Sequence, residues 1–333
     1  MPRSNKFIIF LAAICLGLNI GLTVLAQDSS ATADAKLNEE VKAENLGIKE
    51  PTILPDSRLY FLKEWGRGIQ SFFTFGQLKK TELEQKFANE RLIELKALVE
   101  KNGDPKILEK ATEKYEKTME KIAALAEKIK QKAGENENVS KFLDKFTKQQ
   151  LLQEKILQKL EDQVPPAVYQ KIKEAREKHL EKFAEVMTKL ENRIQELQKR
   201  LEEQTKEISG SKFKDFKNLE TLKELEEKVP EQAKEAIQKA QENVLKRLQN
   251  VLDKMATSDQ EIFQDYIEQL SGNKDRQVEI LDNLKLKIQE KTTEIKEGVE
   301  KTRVEQIQER IKQLEGLRKS LEDQLKTKTG ETQ

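Results

Sequence analysis

The sequence predicts an all-α protein in which successive long helical hairpins pack as an elongated bundle or rod with coiled-coil-like seams. Glu, Lys, Gln and Leu dominate the composition, and these unbranched side chains lose little freedom on entering a helix. Glycine and proline, which interrupt helices, contribute only 13 and 7 of the 333 residues. The alternating β-branched runs that predict strands are nearly absent.

The charged residues follow the same helical pattern. Lys and Arg total 61, Asp and Glu total 60, and the two signs are interleaved, as at Glu113-Lys114 and Glu116-Lys117. Such interleaving is typical of solvated helix faces with ion pairs about one turn apart. A nucleic-acid-binding protein would gather its positive charge on one surface. We therefore expect no nucleic-acid partner.

The first 26 residues differ from the rest of the chain. Arg3 and Lys6 precede an apolar run over 7–26, which ends in the motif Val24-Leu25-Ala26. This arrangement predicts a signal peptide that is cleaved before Gln27. The run is also close to the ~20 residues that span a bilayer, so a retained N-terminal membrane anchor is the alternative. Either interpretation predicts an extracytoplasmic protein, whether periplasmic, secreted or at the cell surface.

Composition and helix-breaking residues divide the chain into five parts. The signal peptide or anchor covers 1–26, and a polar tether covers 27–50. We expect an N-terminal helical domain over 51–135 and two repeated helical hairpins over 136–256. A C-terminal helical hairpin and coiled coil would fill 257–333.

An internal repeat supports the hairpins. Residues 160–190 align without gaps to residues 225–255, and Val164-Pro165 in the first copy matches Val229-Pro230 in the second. Asn102-Gly103-Asp104-Pro105 makes the turn of a fainter, earlier copy. Proline suits the start of a helix, where its missing N–H would have no partner. Each unit therefore reads as a helix, a proline turn and a longer helix, and such units stack by burying one apolar stripe.

The lone histidine falls on one of these stripes. In the first copy the stripe advances in steps of three and four residues through Ile172, Ala175, His179, Phe183, Val186, Leu190, Ile194, Leu197 and Leu201. His179 aligns with Val244 in the second copy. We therefore interpret His179 as a packing residue.

The C-terminal part changes rhythm. A turn at Ser271-Gly272-Asn273 leads into one predicted long helix that ends at about Leu325. Its apolar positions Val304, Ile307, Ile311 and Leu314 follow the heptad spacing of a left-handed coiled coil. Self-association through 304–325 is one interpretation of this stripe. Packing within the chain, which we favour at this stage, is the other.

No catalytic constellation is recognisable. His179 has no other histidine to work with, and Cys15, the only cysteine, lies in the apolar run. Paired carboxylates such as Glu202-Glu203 lie on predicted solvated helices, and no P-loop, dinucleotide-binding or calcium-binding motif occurs. We expect a protein that is not an enzyme and has no cofactor, no metal site and no small-molecule substrate.

The segment 55–75 is the most distinctive. Asp56 and Ser57 are good N-caps for a helix that begins near Arg58. One interpretation is a helix that docks on a membrane surface or a partner, with Lys63 and Arg67 on its polar side. The other is that the helix covers the first hairpin and buries its aromatic residues there. The candidate docking residues are Leu59, Tyr60, Leu62, Trp65, Ile69, Phe72 and Phe73.

The same segment resembles a known family. Leu54-Pro55-Asp56-Ser57-Arg58-Leu59-Tyr60-Phe61-Leu62-Lys63 is similar to the opening of an uncharacterised bacterial family of exported or membrane-tethered proteins, a domain of unknown function. Thr74-Phe75, Lys80-Thr81-Glu82-Leu83 and Ala88-Asn89-Glu90-Arg91-Leu92 continue its pattern, although Arg58 and Thr81 stand where the family often has Pro and Ala. The resemblance covers residues 50–130 or so. It implies a helical fold and an envelope location, and it carries no known activity.

These observations favour a non-enzymatic extracytoplasmic scaffold or protein-interaction protein of the bacterial cell envelope. The alternative is a membrane-associated module that docks through the aromatic helix 58–75, with a signalling or chaperone-like role. The expected partner is accordingly an envelope protein or a membrane surface.

Overall fold

The computed structural model describes residues 40–255, 257–284, 298–312, 314–316 and 319. The predicted signal peptide or anchor, residues 27–39 of the tether and the end of the predicted coiled coil lie outside these residues. The described ranges contain helices and turns and no strand, which confirms the all-α prediction. After a short 3₁₀ turn at Ala43–Leu46, the helices are α1 Tyr60–Phe73, α2 Gln77–Glu100, α3 Pro105–Ala126, α4 Glu137–Gln163, α5 Pro166–Leu190, α6 Ile194–Glu207, α7 Lys214–Glu226, α8 Glu231–Asp253, α9 Thr257–Gln269, α10 Lys274–Asn283 and α11 over 298–312.

The proline turns lie where the repeat predicts them. Pro105 begins α3, and the Asp104 side chain caps that helix by accepting a hydrogen bond from Lys106 N at 2.8 Å. Pro165 and Pro230, which the repeat aligns, both occupy the N-cap position, before α5 and α8. The paired helices α2–α3, α4–α5 and α7–α8 pack against each other. The hairpin prediction is therefore confirmed.

The hairpins close into a bundle. Helices α2, α3, α5 and α4 pack in that order around one core, and α2 also contacts α4, so the ring of four is complete. Helices α6, α7 and α8 continue the core on the other side of α4 and α5, and α10 packs on α7. The first two hairpins, which lie on either side of the predicted boundary between 51–135 and 136–256, build this core together.

The folded part also begins earlier than the predicted end of the tether. Residues 40–46 pack on α2 and α4, although 27–50 was expected to be a polar tether. The Glu40 carboxylate accepts a hydrogen bond from Lys96 Nζ at 2.7 Å. Residues 27–50 are polar on average, but three apolar side chains among them face the bundle. They are Val41, Ala43 and Leu46.

Two predicted helices are interrupted. The apolar stripe that ends at Leu201 lies on two helices rather than one. Helix α5 ends where the backbone of Glu191 becomes extended, and α6 begins at Ile194. Ala133, in the segment before α4, donates a hydrogen bond from its backbone N–H to Leu190 O at 2.8 Å, which satisfies a carbonyl group at the C-terminal end of α5. Likewise α10 ends at Asn283, so the single long helix to Leu325 is wrong.

Candidate functional site

Helix α1 lies antiparallel on α2, and the two helices are joined by a short turn. Gly76 in this turn has φ +85°, a conformation that residues with a side chain rarely adopt. The contacts run in opposite directions along the pair: Tyr60 meets Glu94, and Ser71 Oγ donates to Glu84 Oε1 at 2.9 Å. The candidate helix is thus held along its full length on one side.

The side of α1 that faces the bundle is polar. Arg67 is only 4% exposed, and its guanidinium donates to Glu94 Oε1 at 2.6 Å, to Glu90 Oε2 at 2.9 Å and to Glu64 Oε1 at 2.6 Å. Lys63 Nζ lies 2.6 Å from the same Glu94 oxygen. Lys63 and Arg67 lie on the polar side of the helix, and this side faces the bundle because the carboxylates of α2 draw both cations inward.

Tyr60 belongs to this inner network. Its hydroxyl donates to Glu94 Oε2 at 2.6 Å, and the side chain is buried. Burial raises the pKa of Tyr60, and the adjacent Glu94 charge raises it further, so the hydroxyl stays protonated as a donor. Tyr60 is therefore not part of any outward docking surface. The other six candidate docking residues are exposed.

The opposite side of α1 is apolar and open to solvent. Its large side chains are between 41% and 76% exposed, and Gly66 and Gly68 among them face open space. Phe72 and Phe73 contact each other edge to face, with ring centroids 5.1 Å apart. The expectation that the aromatic residues are buried against the first hairpin holds for Tyr60 and is wrong for the Trp and Phe residues, because the polar network occupies that interface. We call this surface the outer face of α1; it comprises Leu59, Phe61, Leu62, Trp65, Ile69, Phe72, Phe73 and Phe75.

The charge around the outer face is positive. Between residues 58 and 80 the only acidic residue is Glu64, which pairs with Arg67 and with Arg91 at 3.1 Å on the bundle side. Arg58 and Lys79 are exposed. Within residues 58–80 an anionic surface would therefore meet no carboxylate that lacks a cationic partner, and the exposed Asp56 lies just before this range.

The sequence contained a sign of the inner network. Tyr60, Glu64, Arg67 and Ser71 recur at intervals of four, three and four residues, which is the spacing of one helix face. Such a polar stripe is ordinarily interpreted as the solvated side of the helix. Its acidic partners on α2 lie too far along the chain to be assigned from spacing.

A second polar network crosses the bundle core. Asn89 Nδ2 donates to Leu46 O at 3.0 Å, and Gln153 Nε2 donates to Asn89 Oδ1. The Tyr115 hydroxyl then donates to Gln153 Oε1 at 2.8 Å and lies 2.7 Å from His179 Nδ1. All four side chains are buried. The prediction that His179 is a packed residue is confirmed, whereas its polar partners were not foreseen.

The direction of these hydrogen bonds determines the proton on His179. Leu46 O can only accept, so the Asn89 amide turns its NH₂ group toward Leu46 and its oxygen toward Gln153. Gln153 then donates to Asn89 and turns its own oxygen toward Tyr115, whose single hydroxyl proton goes to Gln153. His179 Nδ1–H must then donate to the Tyr115 oxygen. The other ring nitrogen, Nε2, faces Gln150 O at 3.2 Å and Glu154 Oε2 at 4.0 Å. The 4.0 Å separation is too long for a hydrogen bond between Nε2 and the Glu154 carboxyl group, so these two groups interact only through space.

Burial favours the neutral form of both groups, a protonated Glu154 carboxyl group and an uncharged His179 ring. Burial lowers the pKa of His179 to about 3. Burial also raises the pKa of Glu154 to about 8; Glu224 adds to the rise, and Arg176, which donates to Glu154, opposes it. The pair of Glu154 and His179 therefore binds one proton at neutral pH.

The described residues contain neither a cluster of metal ligands nor a helix that could span a membrane. Throughout the part of the chain that the structure describes, no three His, Cys, Asp or Glu side chains converge as metal ligands would. Over the same residues, every helix is too short or too polar to cross a membrane.

Comparison with known proteins gives one match. A family model described as a domain of unknown function, DUF5667, matches residues 52–232. This range extends well past residue 130, where the resemblance in the sequence ended. It includes α1 and the ring of four helices that α2, α3, α4 and α5 form. No curated protein and no solved structure matches the chain.

Proposed function

This chain belongs to the DUF5667 family, and for this member we propose a non-enzymatic role in the cell envelope, in which the protein docks on a membrane surface through the outer face of α1. One observation carries the proposal. Helix α1 uses its polar side to bind the bundle and leaves its apolar side uncovered. An exposed apolar patch of this kind is typical of interaction surfaces.

A lipid surface fits the composition of this face. Helices that lie in the membrane interface combine Trp, Phe and Leu on one side with few acidic residues nearby. Trp65 occupies the middle of the outer face, and Phe72, Phe73 and Phe75 follow at its C-terminal end. Each fully buried side chain of this size contributes ~1.5–3 kcal/mol, so even partial insertion of several gives appreciable affinity.

Charge and the position of the chain's first part support the same occupant. Arg58 and Lys79 are suited to the phosphate groups of anionic lipids, which attract basic residues near the surface by about 1 kcal/mol each. The predicted signal peptide or anchor over 1–26, if retained, would tether the bundle beside a bilayer. The first described residue, Glu40, is bound to α2, the helix that carries α1.

The single tryptophan makes a direct test possible. The full chain is incorporated into vesicles of phosphatidylcholine and phosphatidylglycerol, some with brominated acyl chains, and Trp65 emission is recorded. We expect a blue shift and strong quenching by the brominated lipid. Because Trp65 lies in α1, insertion of the apolar run 7–26 alone does not produce this signal.

Two variants complete the test. Phe72→Ser with Phe73→Ser removes two of the exposed rings and should at least halve the quenching. Ile194→Ser removes an exposed apolar side chain at the start of α6 and should leave the quenching unchanged. A Trp65 that stays open to acrylamide on these vesicles would overturn the lipid proposal and favour a protein partner.

A further inference from the structure

Helix α11 carries a second uncovered apolar surface. Val304, Ile307, Ile311 and Leu314 are each between 49% and 54% exposed. Their spacing of three, four and three residues puts them on one side of the helix. We call these four residues the heptad stripe. Packing within the chain was the favoured interpretation of this stripe, but it leaves about half of each side chain in solvent.

The bundle holds α11 by a different side. Arg310 donates to Glu161 O at 2.7 Å and to Val164 O at 3.2 Å, which caps the C-terminal end of α4, and it lies over the Tyr169 ring. Val299 is fully buried. At about 100° per residue, these contacts lie roughly 80° around the helix from the centre of the heptad stripe. The attachment therefore orients α11 and leaves the stripe free to pair.

A cleft runs beside the stripe. Its volume is about 890 Å³, and it separates α11 from the turn between α4 and α5. Ile307, Ile311 and Leu314 line one wall, and Pro166 and Tyr169 line the other.

We propose that the heptad stripe of α11 binds the same stripe of a second copy of this chain as a parallel two-stranded coiled coil. In heptad terms Val304 and Ile311 are a positions, and Ile307 and Leu314 are d positions. β-Branched residues at a together with Leu at d, as at Leu314, favour two parallel strands, and Ile307 departs from this pattern. Beyond the described residues the sequence places Arg318 at the next a position and Leu321 and Leu325 at the d and a positions that follow.

The flanking charges agree with this pairing. Arg303 and Arg310 occupy g positions, and Gln308 and Glu315 occupy e positions. In a parallel pair each g residue lies near the following e residue of the other helix. Arg310, whose guanidinium the α4 carbonyl groups already hold, would lie beside Glu315 of the second copy, and Arg303, which pairs with Asp275, would lie beside a neutral Gln308, so no like charges meet. This inference is independent of docking by α1.

Cysteine crosslinking tests the register directly. In a Cys15→Ser background, which removes the only native cysteine, the full chain is prepared with Leu314→Cys or, as the control, Lys312→Cys. A cysteine at a d position faces its copy across the coiled coil, whereas position 312 points outward. Under mild oxidation we expect a covalent dimer at least fivefold more abundant for Leu314→Cys.

Two results would overturn the proposal. Equal crosslinking of the two variants would show that association depends on another part of the chain, and no crosslinking of either would show that the stripe does not self-associate. A second measurement avoids reliance on cysteines. Ile307→Asp with Ile311→Asp, both at exposed positions, should shift the sedimenting species from dimer to monomer without loss of helical content.

Discussion

Arg67 Nη2 lies 2.6 Å from Glu94 Oε1, in a contact where both side chains are almost completely buried. This pair makes α1 an amphipathic helix with its polar side turned to the protein. A buried ion pair adds little net stability compared with apolar packing, but the loss of one partner leaves an uncompensated charge. The orientation of α1, and with it the outer face, therefore depends on Arg67.

Replacement of Arg67 by alanine should be severely destabilising. Glu94 and Glu90 would face each other near a hydrophobic core without their shared cation, and we expect the free energy of unfolding to fall by ~3–5 kcal/mol. Urea denaturation followed by circular dichroism measures this change. Lys141→Ala is the control, because Lys141 and Glu137 form a pair at 2.6 Å with 70% and 80% of their side chains exposed. Its effect should stay below ~1 kcal/mol.

Gly76→Ala should strain the turn between α1 and α2. A Cβ at this position meets no other atom, so the cost of ~1–3 kcal/mol comes from the positive φ alone. Gly66→Ala is the matched control, because Gly66 also faces open space but lies inside α1. Alanine there should stabilise the helix by up to ~1 kcal/mol. Thermal unfolding of the two variants should therefore shift in opposite directions; a shift in the same direction would contradict the strained turn.

The pair of Glu154 and His179 predicts how stability depends on pH. Folded, the pair binds one proton between pH values of about 3 and 8. Unfolded, it binds one proton only between the ordinary pKa values of 4.5 and 6.5. The contribution of this pair to the free energy of unfolding should therefore be constant from pH 4.5 to 6.5. It should decrease as the pH rises above 6.5 and as it falls below 4.5. The expected loss from pH 6.5 to 8 is on the order of 2 kcal/mol.

Glu154→Gln tests the assignment. Without the carboxyl group the loss above pH 6.5 should disappear, because the folded and unfolded chains then bind the same number of protons there. Below pH 6.5 the unfolded His179 gains a proton that the buried ring cannot bind, so stability should now fall from pH 6.5 rather than from 4.5. His179 is the only histidine, which keeps this window clear of others. An unchanged profile would disprove the protonated Glu154 carboxyl group.

Arg310→Ala should release α11 from the bundle. The variant loses two hydrogen bonds to the carbonyl groups at the end of α4 and the contact with Tyr169. Hydrogen exchange should become about tenfold faster over 298–312, which corresponds to ~1.4 kcal/mol. Arg303→Ala, which removes an ion pair with the exposed Asp275, is the control and should change exchange much less. Equal effects would show that the cap on α4 is unimportant.

Local signals in the sequence were sufficient for the helices and their turns. Asp104 and Pro105 cap and begin α3, and the aligned Pro165 and Pro230 precede α5 and α8, because these effects need only neighbouring residues. The family resemblance of the segment around Tyr60 was likewise confirmed by the match over 52–232. Export from the cytoplasm stays a prediction.

Contacts between distant residues decided the rest. The apolar stripe of α1 was recognisable, but whether it faced the bundle depended on Glu90 and Glu94 of another helix, which bind Arg67. The alignment of His179 with Val244 predicted burial, yet Tyr115 and Glu154 come from other helices. Periodicity fixes which side chains share a face, because the geometry of a helix is local. Which face is buried depends on the free energy of packing against partners that only the tertiary structure brings together.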